Sequence, residues 1–522
     1  MTYLPTFAEL YVVSDIHLGG RRAGKDNFQI FNRGERLGNL LEYISCQRPE
    51  EDVCLVLNGD IIDSLAEEEV HGYVALDEDT AVRMMDHIFS DASFKPVWDG
   101  LARYVRTPRR HLVFVVGNHD IELSLPVVEQ AIALRLAEDN DSRSRIHFAT
   151  HGGGYACRVA GAHIFCTHGN ELDDWNWVDF RKLGELANAL NAGRAVEPAH
   201  WKPNAGTRLV VDVMNHIKRR YPFVDVLKPE AAAVASVLLA LDKDAFKRVD
   251  WLDSVNVLKD KIKGGLVTRD LLSAEAADFS SVSSADLAEE TARQLLGPAF
   301  RQAVQNQLGD RSSPSEEDLL LAAEKSVGDG RSALEAVSGE IEQETLGAWD
   351  YVAGWIGLVP KEEGLRLALK DWLKNDRTFD VDNQDDLYSQ MQDRIGSRVD
   401  IVVTGHTHKP RALSLKRGSG YYYNCGTWIR TLRLTEEVLN DQKAFKEIVW
   451  PALKAGTMAA LDEAAIPGPG GKTVSLLFDR TNVVQIAAQG NTAVGQLLRV
   501  TDGPSPGTVL LTPEPDTQPY KV

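Results

Sequence analysis

The sequence is poor in cysteine and has no long apolar run. It contains 5 cysteines among 522 residues, and none of them forms a C-x-x-C pair, so reduced thiols rather than a disulfide framework are expected. No stretch approaches the roughly 20 consecutive apolar residues that a membrane-spanning helix needs. The N-terminus also has neither the basic segment nor the apolar core of a secretory signal. These absences predict a cytoplasmic protein.

Basic residues are also fewer than acidic ones. There are 57 Lys and Arg residues against 76 Asp and Glu residues, which gives a net charge of −19. Tight sequence-independent binding to nucleic acid relies on Lys and Arg that neutralise phosphates, so this composition disfavours nucleic acid as a partner. The short basic run Lys218-Arg219-Arg220 is either a local basic patch or, in our interpretation, a solvated helix end. The composition is otherwise that of a folded protein with room for several domains, and the sequence leaves the oligomeric state open.

What the sequence does contain is five short motifs rich in Asp, Asn and His. Most of them directly follow an apolar run that is typical of a buried strand, as in residues 10–13, 53–57, 112–116, 163–166 and 401–403. In layered α/β proteins, loops at the carboxyl ends of strands converge, so we expect the five motifs to meet at one site. In chain order, the motifs are Asp15-Ile16-His17, Gly59-Asp60, Gly117-Asn118-His119-Asp120, Thr167-His168-Gly169 and Gly405-His406-Thr407-His408.

The residue types in these motifs predict a metal site. In an extended segment, residues i and i+2 point to the same side, so Asp15 and His17 are expected to hold one ion together, and His406 and His408 repeat this spacing. Carboxylate, amide and imidazole ligands without thiolate favour Mn, Fe, Zn or Co. There are more ligands than one metal needs, and two metals that share a carboxylate would use them all. Besides the two pairs, the candidate ligands are Asp60, Asn118 and His168.

The motifs resemble the D-x-H, G-D, G-N-H-[DE], H and G-H-x-H blocks of the calcineurin-like metallophosphoesterase superfamily. The resemblance implies an α/β (α+β) fold, namely a four-layer β-sandwich flanked by helices, here with a large and mainly helical insertion. It also implies hydrolysis of a phosphoric ester by a metal-bridging hydroxide. Two divalent ions would serve as cofactors, Mn in the first place, with Fe, Zn or Co as alternatives.

The same resemblance implies roles for individual residues. Asp60 would bridge the two metals. His119 would donate a proton to the leaving group, and Asp120 would orient His119. The first metal would be held by Asp15, His17 and His408, and the second by Asn118, His168 and His406.

Each motif also has an ordinary explanation when it is taken alone. A single D-x-H or G-D occurs by chance, Gly and Asn are favoured in turns, and paired histidines occur on surfaces. Five such explanations would have to hold independently, so the ordered set favours a metal site.

The chain is predicted to comprise four parts. Residues 1–173 are the N-terminal part of the core, with helices over 35–46 and 81–105, and 396–435 are its C-terminal part with the closing strand. More than 200 residues separate His168 from Gly405, which is too long for a connector. Residues 174–395 are therefore read as a mainly helical insertion or cap, with helices over 231–241, 284–296 and 316–327. Residues 436–522 are a C-terminal helix over 436–463 and a short strand-rich tail, whose Pro-rich end after Gly503 is expected to be loose.

Substrate contacts are expected just after His168. The two tryptophans there either anchor the cap or stack a nucleobase or pack an acyl chain. Residues 168–173 resemble the H-G-D-x-x-D phrase of the UDP-diacylglucosamine pyrophosphohydrolase-like group. In that group Asp replaces Asn170, Arg replaces His119, and the long cap is absent. The candidate substrate residues are Asn170, Asp173, Trp175 and Trp177.

The sequence therefore predicts hydrolysis of a phosphodiester or pyrophosphate bond in a small phosphate ester or nucleotide-linked compound. The alternative is a phosphomonoesterase or protein phosphatase. A DNA-processing nuclease is disfavoured by the acidic composition, and a non-catalytic metal-dependent scaffold by the complete ligand set.

Overall fold

A computed structural model describes residues 4–20, 28–67, 70, 73–75, 77–197, 200–227, 359–373, 380–416 and 420–522. The chain divides into two compact units. The first comprises Met1–Arg219, Arg377–Thr431 and Phe478–Val522, and the second Arg220–Asp376 and Leu432–Leu477. Among the described residues, no helix is both long and apolar enough to cross a membrane.

Strands and helices both contribute to the described part of the chain, which confirms the mixed α/β class. The strands are β1 (Thr6–Phe7), β2 (Glu9–Val13), β3 (Val53–Asn58), β4 (Arg110–Val115), β5 (Ile146–Ala149), β6 (Tyr155–Val159), β7 (Ala162–Cys166), β8 (Ile401–Thr404), β9 (Pro410–Ser414), β10 (Tyr421–Cys425), β11 (Arg430–Leu432), β12 (Ala465–Pro467), β13 (Thr473–Ser475), β14 (Leu477–Asp479), β15 (Asn482–Gln489), β16 (Thr492–Asp502), β17 (Val509–Pro513) and β18 (Tyr520–Lys521). The α-helices are α1 (Gly34–Ser45), α2 (Glu78–Ser90), α3 (Lys95–Arg106), α4 (Pro126–Leu136), α5 (Asn140–Ser144), α6 (Phe180–Asn191), α7 (Ala205–Arg208), α8 (Asn215–Lys218), α9 (Lys361–Leu373), α10 (Asp386–Arg394), α11 (Glu436–Asn440), α12 (Gln442–Ala444), α13 (Trp450–Ala455) and α14 (Met458–Glu463). The five apolar runs predicted as strands are confirmed as β2, β3, β4, β7 and β8.

Two sheets form the centre of the first unit. The larger has the order β17-β16-β15-β2-β3-β4-β5, and β18 pairs with β16. Its strands β2, β3, β4 and β5 run parallel to one another, whereas β15 runs antiparallel to β2. The smaller sheet has the order β1-β6-β7-β8-β10-β9, with β8 parallel to β7 and β10.

Alternating side chains on each strand build the four layers. In β2, Leu10 and Val12 pack in a cluster with residues of β7 and β8, which joins the two sheets face to face. Tyr11 and Val13 point the other way and pack in a cluster that contains residues of α1, α2, α3 and α4. On the outer side of the smaller sheet, Tyr388 of α10 lies in a cluster with residues of β8 and β10. The resulting order of helix, sheet, sheet and helix confirms the predicted four-layer sandwich.

Local chemistry breaks two of the predicted helices. The helix expected over 81–105 is wrong as a single element, because α2 ends at Ser90, before the extended residue Asp91, and α3 begins anew with Pro96 in its first turn. The single helix expected over 436–463 is also wrong. Asp441 is extended between α11 and α12, and Gly456 adopts a left-handed conformation with φ of 69° after α13. A π-helical stretch at Phe445–Val449 joins α12 to α13.

The expectation of a loose tail after Gly503 is wrong. Strands β17 and β18 both pair with β16 in the larger sheet, and Leu511 packs against the core cluster on the helical side. The tail is ordered because its backbone hydrogen bonds are made to a strand of the central sheet. The boundaries predicted at 173, 395 and 435 remain a proposal, and the two compact units divide the chain at other positions.

The described residues of the second unit are mainly helical. In α9, Arg366 pairs with Glu363 and donates to the carbonyl of Leu439 in α11. Strands β12 and β13 form an antiparallel pair in the same unit. The helices predicted over 231–241, 284–296 and 316–327 lie outside the described residues.

Candidate metal centre

The ligand candidates follow the carboxyl ends of strands in both sheets. Asp15, Asp60 and Asn118 follow β2, β3 and β4 of the larger sheet, whereas His168 and His406 follow β7 and β8 of the smaller one. The two sheets pack face to face, so loops from both converge at one edge of the sandwich. Residues that are almost 400 positions apart in sequence therefore meet.

The first group of donors consists of Asp15, His17, Asp60 and His408, whose ligand atoms all lie within 4.8 Å of one another. His408 Nε2 is 3.2 Å from Asp15 Oδ1 and 3.2 Å from His17 Nε2. His17 Nε2 is 4.0 Å from Asp60 Oδ2. One divalent ion among these atoms would receive two carboxylates and two imidazoles.

The second group consists of Asp60, His168 and His406, again with ligand atoms within 4.8 Å of one another. His168 Nε2 lies 3.1 Å from Asp60 Oδ2. Asn118, which follows β4, offers an amide oxygen as a further candidate ligand. Its Oδ1 is buried without a hydrogen-bond partner among the described residues, and the next backbone N–H, that of His119, donates to Asp60 Oδ1 at 2.9 Å.

The donor atoms fit divalent metal ions. His168 Nδ1 lies 2.9 Å from the carbonyl oxygen of Asn58, which can only accept, so Nδ1 carries the proton in the neutral ring. The lone pair of Nε2 then faces the carboxylate of Asp60. Two lone pairs at that separation repel unless a cation lies between them. The buried, unpartnered Oδ1 of Asn118 is a further oxygen donor that lacks a cation.

The backbone at the ligands is strained. Nine non-glycine residues of the described chain have positive φ, and five of them are ligand candidates: Asp15, His17, Asp60, His406 and His408. A left-handed conformation is uncommon for residues with a Cβ and concentrates at functional sites. The prediction that Asp15 and His17 converge because their segment is extended is therefore wrong in its reason, since both have φ above 50°. They reach the same group of donors through two left-handed residues beyond the end of β2.

Two glycines of the motifs make room for ligands from other motifs. A Cβ at Gly117 would overlap Asp60 Oδ1, and a Cβ at Gly405 would lie 2.5 Å from Asp15 Oδ2. The backbone N–H of His406 then donates to both oxygens of Asp15 at 3.1 Å. Each glycine therefore allows the backbone of one motif to approach the carboxylate of another.

The electrostatics of the second group favour a shared positive charge. Burial disfavours ionisation of Asp60, but the neighbouring imidazoles of His168 and His119 outweigh this effect and hold the pKa of Asp60 well below its usual range. For His168, burial acts against the charged ring, yet the carboxylate of Asp60 raises the pKa of His168 to about 10. The pair holds a cation strongly, whether a proton or a metal ion.

His119 is hydrogen-bonded to a carboxylate that the sequence interpretation missed. Its Nδ1 lies 3.2 Å from Asp63 Oδ1, and Asp63 Oδ2 is 3.7 Å from His17 Nδ1. Burial lowers the pKa of His119, but the charges of Asp60 and Asp63 outweigh burial and raise it to about 9. The signal in the sequence is a second Asp three residues after Asp60, in the same loop.

Asp120 does not orient His119 in the way the family pattern implied. Its carboxylate accepts the backbone N–H groups of Ile61 at 2.7 Å and Gly117 at 2.6 Å. Burial and the nearby charge of Asp60 raise the pKa of Asp120 to about 7. Asp120 therefore joins the loops after β3 and β4, and the carboxylate at His119 is Asp63.

The candidate substrate residues have different surroundings. Asn170 is fully buried and its Nδ2 donates to the carbonyl of Asn176, so it faces the interior of the loop. Asp173 Oδ2 lies 3.0 Å from His406 Nε2, and the Asp173 side chain is partly exposed. Burial raises the pKa of Asp173, but the hydrogen bond to His406 outweighs this and lowers it. Trp175 is half-buried, whereas Trp177 is 52 % exposed.

Lys218 is a second residue that the sequence interpretation missed. It is only 4 % exposed, so the prediction that the 218–220 run is a solvated helix end is wrong for this residue. Its positive charge lowers the pKa of His119, which is the effect of a cation near that ring. Its helix α8 is attached to the loop after β3 by Asn215, whose Nδ2 donates to the carbonyl of Leu65 at 2.9 Å. Nothing in the sequence distinguishes this lysine from its exposed neighbours.

Comparison with known proteins agrees with the geometry. Residues 9–245 match the family model described as calcineurin-like phosphoesterase. A comparison with curated proteins finds no match.

Proposed function

We propose that the chain is a hydrolase of phosphoric esters, since residues 9–245 match the calcineurin-like phosphoesterase family model, and that it cleaves a phosphodiester or pyrophosphate bond in a small molecule. The observation that carries this proposal is the sharing of Asp60 between two groups of donors. A carboxylate between two such groups is the arrangement that a pair of ions requires for hydrolysis of phosphate esters.

Two divalent ions are the proposed cofactors. Asp60 would contact both, with Asp15, His17 and His408 completing one set and Asn118, His168 and His406 the other. When bound, such ions activate water and polarise the phosphoryl oxygens. Oxygen and imidazole donors without thiolate favour Mn, with Fe, Zn or Co as alternatives.

His119 is the proposed proton donor to the leaving oxygen. Asp63 accepts from Nδ1, so the ring presents Nε2 to the substrate, and the two nearby carboxylates keep the ring protonated at neutral pH. When the leaving group is an alcohol, its protonation avoids release of an unstable alkoxide. When the leaving group is a phosphate, its protonation avoids an additional negative charge on that phosphate.

Two residues support an anionic substrate with an aromatic part. Lys218 contributes a positive charge on the side of His119. Trp177, which is exposed, offers a surface on which a nucleobase can stack. Both features agree with a nucleotide-linked diester or pyrophosphate. The net charge of −19 disfavours a nucleic acid polymer as the substrate.

The test is a side-by-side measurement of kcat/KM for bis-p-nitrophenyl phosphate and p-nitrophenyl phosphate. The full chain is stripped of metal and resupplied with Mn, and Asp60→Asn serves as the control for contaminating hydrolases. The proposal predicts faster turnover of the diester and loss of both activities in the control. A preference for the monoester would favour a phosphatase instead.

His119→Ala distinguishes an enzyme from a metal-dependent scaffold. The variant is expected to retain metal and to lose about 10²-fold or more in kcat, which is the usual contribution of a general acid. Full retention of hydrolysis in the variant would contradict the proton-donor role.

A further inference from the structure

The ring of His406, one of the ligand candidates, lies within hydrogen-bond distance of a carboxylate, that of Asp173. Its Nε2 lies 3.0 Å from Asp173 Oδ2. An ionised carboxylate only accepts hydrogen bonds, so Nε2 carries the hydrogen and Nδ1 is left with the lone pair in the neutral ring. His168 of the same group has a neutral backbone carbonyl in the corresponding place.

The carboxylate of Asp173 is itself fixed by its own loop. The backbone N–H of Trp175 donates to Oδ1 at 2.9 Å, and Asn176 Nδ2 donates to Oδ2 at 2.7 Å. The N–H of Asn176 also donates to the carbonyl of Asp173 at 3.0 Å, which closes a tight turn. Two donors to the carboxylate and one to the backbone carbonyl of Asp173 therefore set the position of the group that faces His406.

A backbone hydrogen bond joins this tight turn to α7. The N–H of Gly206 donates to the carbonyl of Trp175 at 2.8 Å. A Cβ at Gly206 would overlap Asn176 Oδ1, so only glycine allows this approach without a shift of Asn176. The position of Asp173 thus depends on a residue of α7 that is distant from His406 in sequence.

The environment of Asp173 does not suit contact with a phosphate. Its oxygens already receive hydrogen bonds from Trp175 and Asn176 and face the ring of His406. Its negative charge would also repel an anionic substrate. We therefore replace the prediction that Asp173 contacts the substrate with a different role for this residue.

We propose that Asp173 is a positioning residue that orients His406 for a divalent ion held by Asp60, Asn118, His168 and His406, and that the contact of Asn176 with Gly206 maintains this orientation. A carboxylate hydrogen-bonded to an imidazole fixes which nitrogen faces the metal and makes that nitrogen a stronger donor. The inference rests on the proposed function, because it assumes that this set binds an ion.

The test is titration of the metal-stripped full chain with Mn²⁺. Binding is measured by calorimetry and by the electron paramagnetic resonance signal of free Mn²⁺. For Asp173→Ala, the affinity of one of the two binding steps is expected to fall by about 10-fold to 100-fold, which is the usual effect of losing such a partner. Asp173→Asn retains an oxygen acceptor for Nε2, so a smaller loss is expected.

Two glycine variants test the connection through α7. Gly206→Ala should weaken Mn²⁺ binding in the same direction as Asp173→Ala, because the new methyl group displaces Asn176. Gly184→Ala is the matched control, since its Cβ would meet no atom within 4 Å on an exposed face of α6. It should bind Mn²⁺ as the wild type does. Thermal unfolding of the metal-free variants establishes that each one folds.

The outcomes separate this inference from the proposed function. If the folded Asp173→Ala variant bound Mn²⁺ with wild-type affinity and showed only a raised KM for the substrate, the positioning role would be overturned in favour of substrate contact. Equal losses in Gly206→Ala and Gly184→Ala would overturn the connection through Asn176. Failure of the wild type to bind Mn²⁺, Zn²⁺ or Co²⁺ would contradict the proposed function itself, and the inference would fall with it.

Discussion

His168 Nε2 and Asp60 Oδ2 face each other at 3.1 Å in the interior of the protein. The other ring nitrogen of His168 donates to a backbone carbonyl, so a cation must share the space between the facing atoms. In the metal-free protein that cation is a proton, because the charge of Asp60 raises the pKa of His168 to about 10 despite burial.

Metal uptake should therefore release protons at neutral pH. The imidazole of His168 must be neutral to bind an ion, but its pKa of about 10 keeps it protonated at neutral pH in the metal-free protein. The association constant for this ion is expected to rise by about tenfold per pH unit between pH 7 and pH 9. Calorimetry in buffers with different ionisation enthalpies measures the protons released. Uptake without proton release at pH 8 would contradict the pairing of His168 with Asp60.

Asp63→Asn should change the pH dependence of catalysis. The charge of Asp63 contributes to the raised pKa of His119, so its removal lowers that pKa. The alkaline limb of the kcat profile should move toward acid by about 1 to 2 pH units. Asp120→Asn is the control, because Asp120 accepts backbone N–H groups and does not contact His119 through a described hydrogen bond. An unchanged limb in Asp63→Asn would mean that His119 is not the acid.

Gly405→Ala should disturb the centre without removal of any ligand. The added methyl group would lie 2.5 Å from Asp15 Oδ2 and Ser14 Oγ, so Asp15 must shift. Displacement of a reacting group by about 1 Å costs on the order of 10²-fold in rate, and we expect a loss of that size in kcat/KM. Gly396→Ala, where the methyl group meets no atom within 4 Å, should retain wild-type activity. Activity in Gly405→Ala equal to that of Gly396→Ala would show that the close approach is dispensable.

Glu514 should make the larger sheet sensitive to acid. It is buried, accepts from Arg480 at 2.6 Å and from Asn482 at 2.6 Å, and also pairs with Arg499. Burial opposes its ionisation, but the two guanidinium groups outweigh burial and hold the pKa of Glu514 below its usual value. Its stabilising contribution is therefore complete above the unfolded-state pKa of about 4.3 and is lost as pH falls through the folded-state pKa.

Glu514→Gln should lower the free energy of unfolding at pH 7 by about 3 kcal/mol, because it removes the buried charge with which two arginines pair. Urea unfolding at pH 7 and pH 4 measures the effect, and the difference between wild type and variant should narrow at the lower pH. A difference that widens toward pH 4 would contradict the lowered pKa.

The strands and the candidate ligands could be predicted from the sequence because both depend on local patterns. Apolar runs such as that before Asp15 specify buried strands, and a ligand directly after a strand is placed by the strand's end. The helix break between α2 and α3 was less visible, since Asp91 and Pro96 lie within an otherwise helical pattern.

Features that depend on tertiary contacts could not be read from the sequence. The left-handed backbone of Asp15 and His17 is imposed by the packing of loops from two sheets. Asp and His adopt this conformation more often than most residues, but that preference alone does not show which of them do so. Asp63 and Asp120 are both carboxylates near His119, and only their hydrogen bonds distinguish them. The burial of Lys218 likewise follows from the placement of α8 against the loop after β3.

The most direct test of the account is the rate of bis-p-nitrophenyl phosphate hydrolysis by the metal-stripped full chain as Mn²⁺ is added, with Asp60→Asn measured in parallel. We predict no turnover without metal, a rise that saturates near two equivalents of Mn²⁺, and loss of nearly all turnover in Asp60→Asn at the same Mn²⁺ concentrations. Hydrolysis that persists in the presence of a chelator, or that is unchanged by Asp60→Asn, would contradict the account.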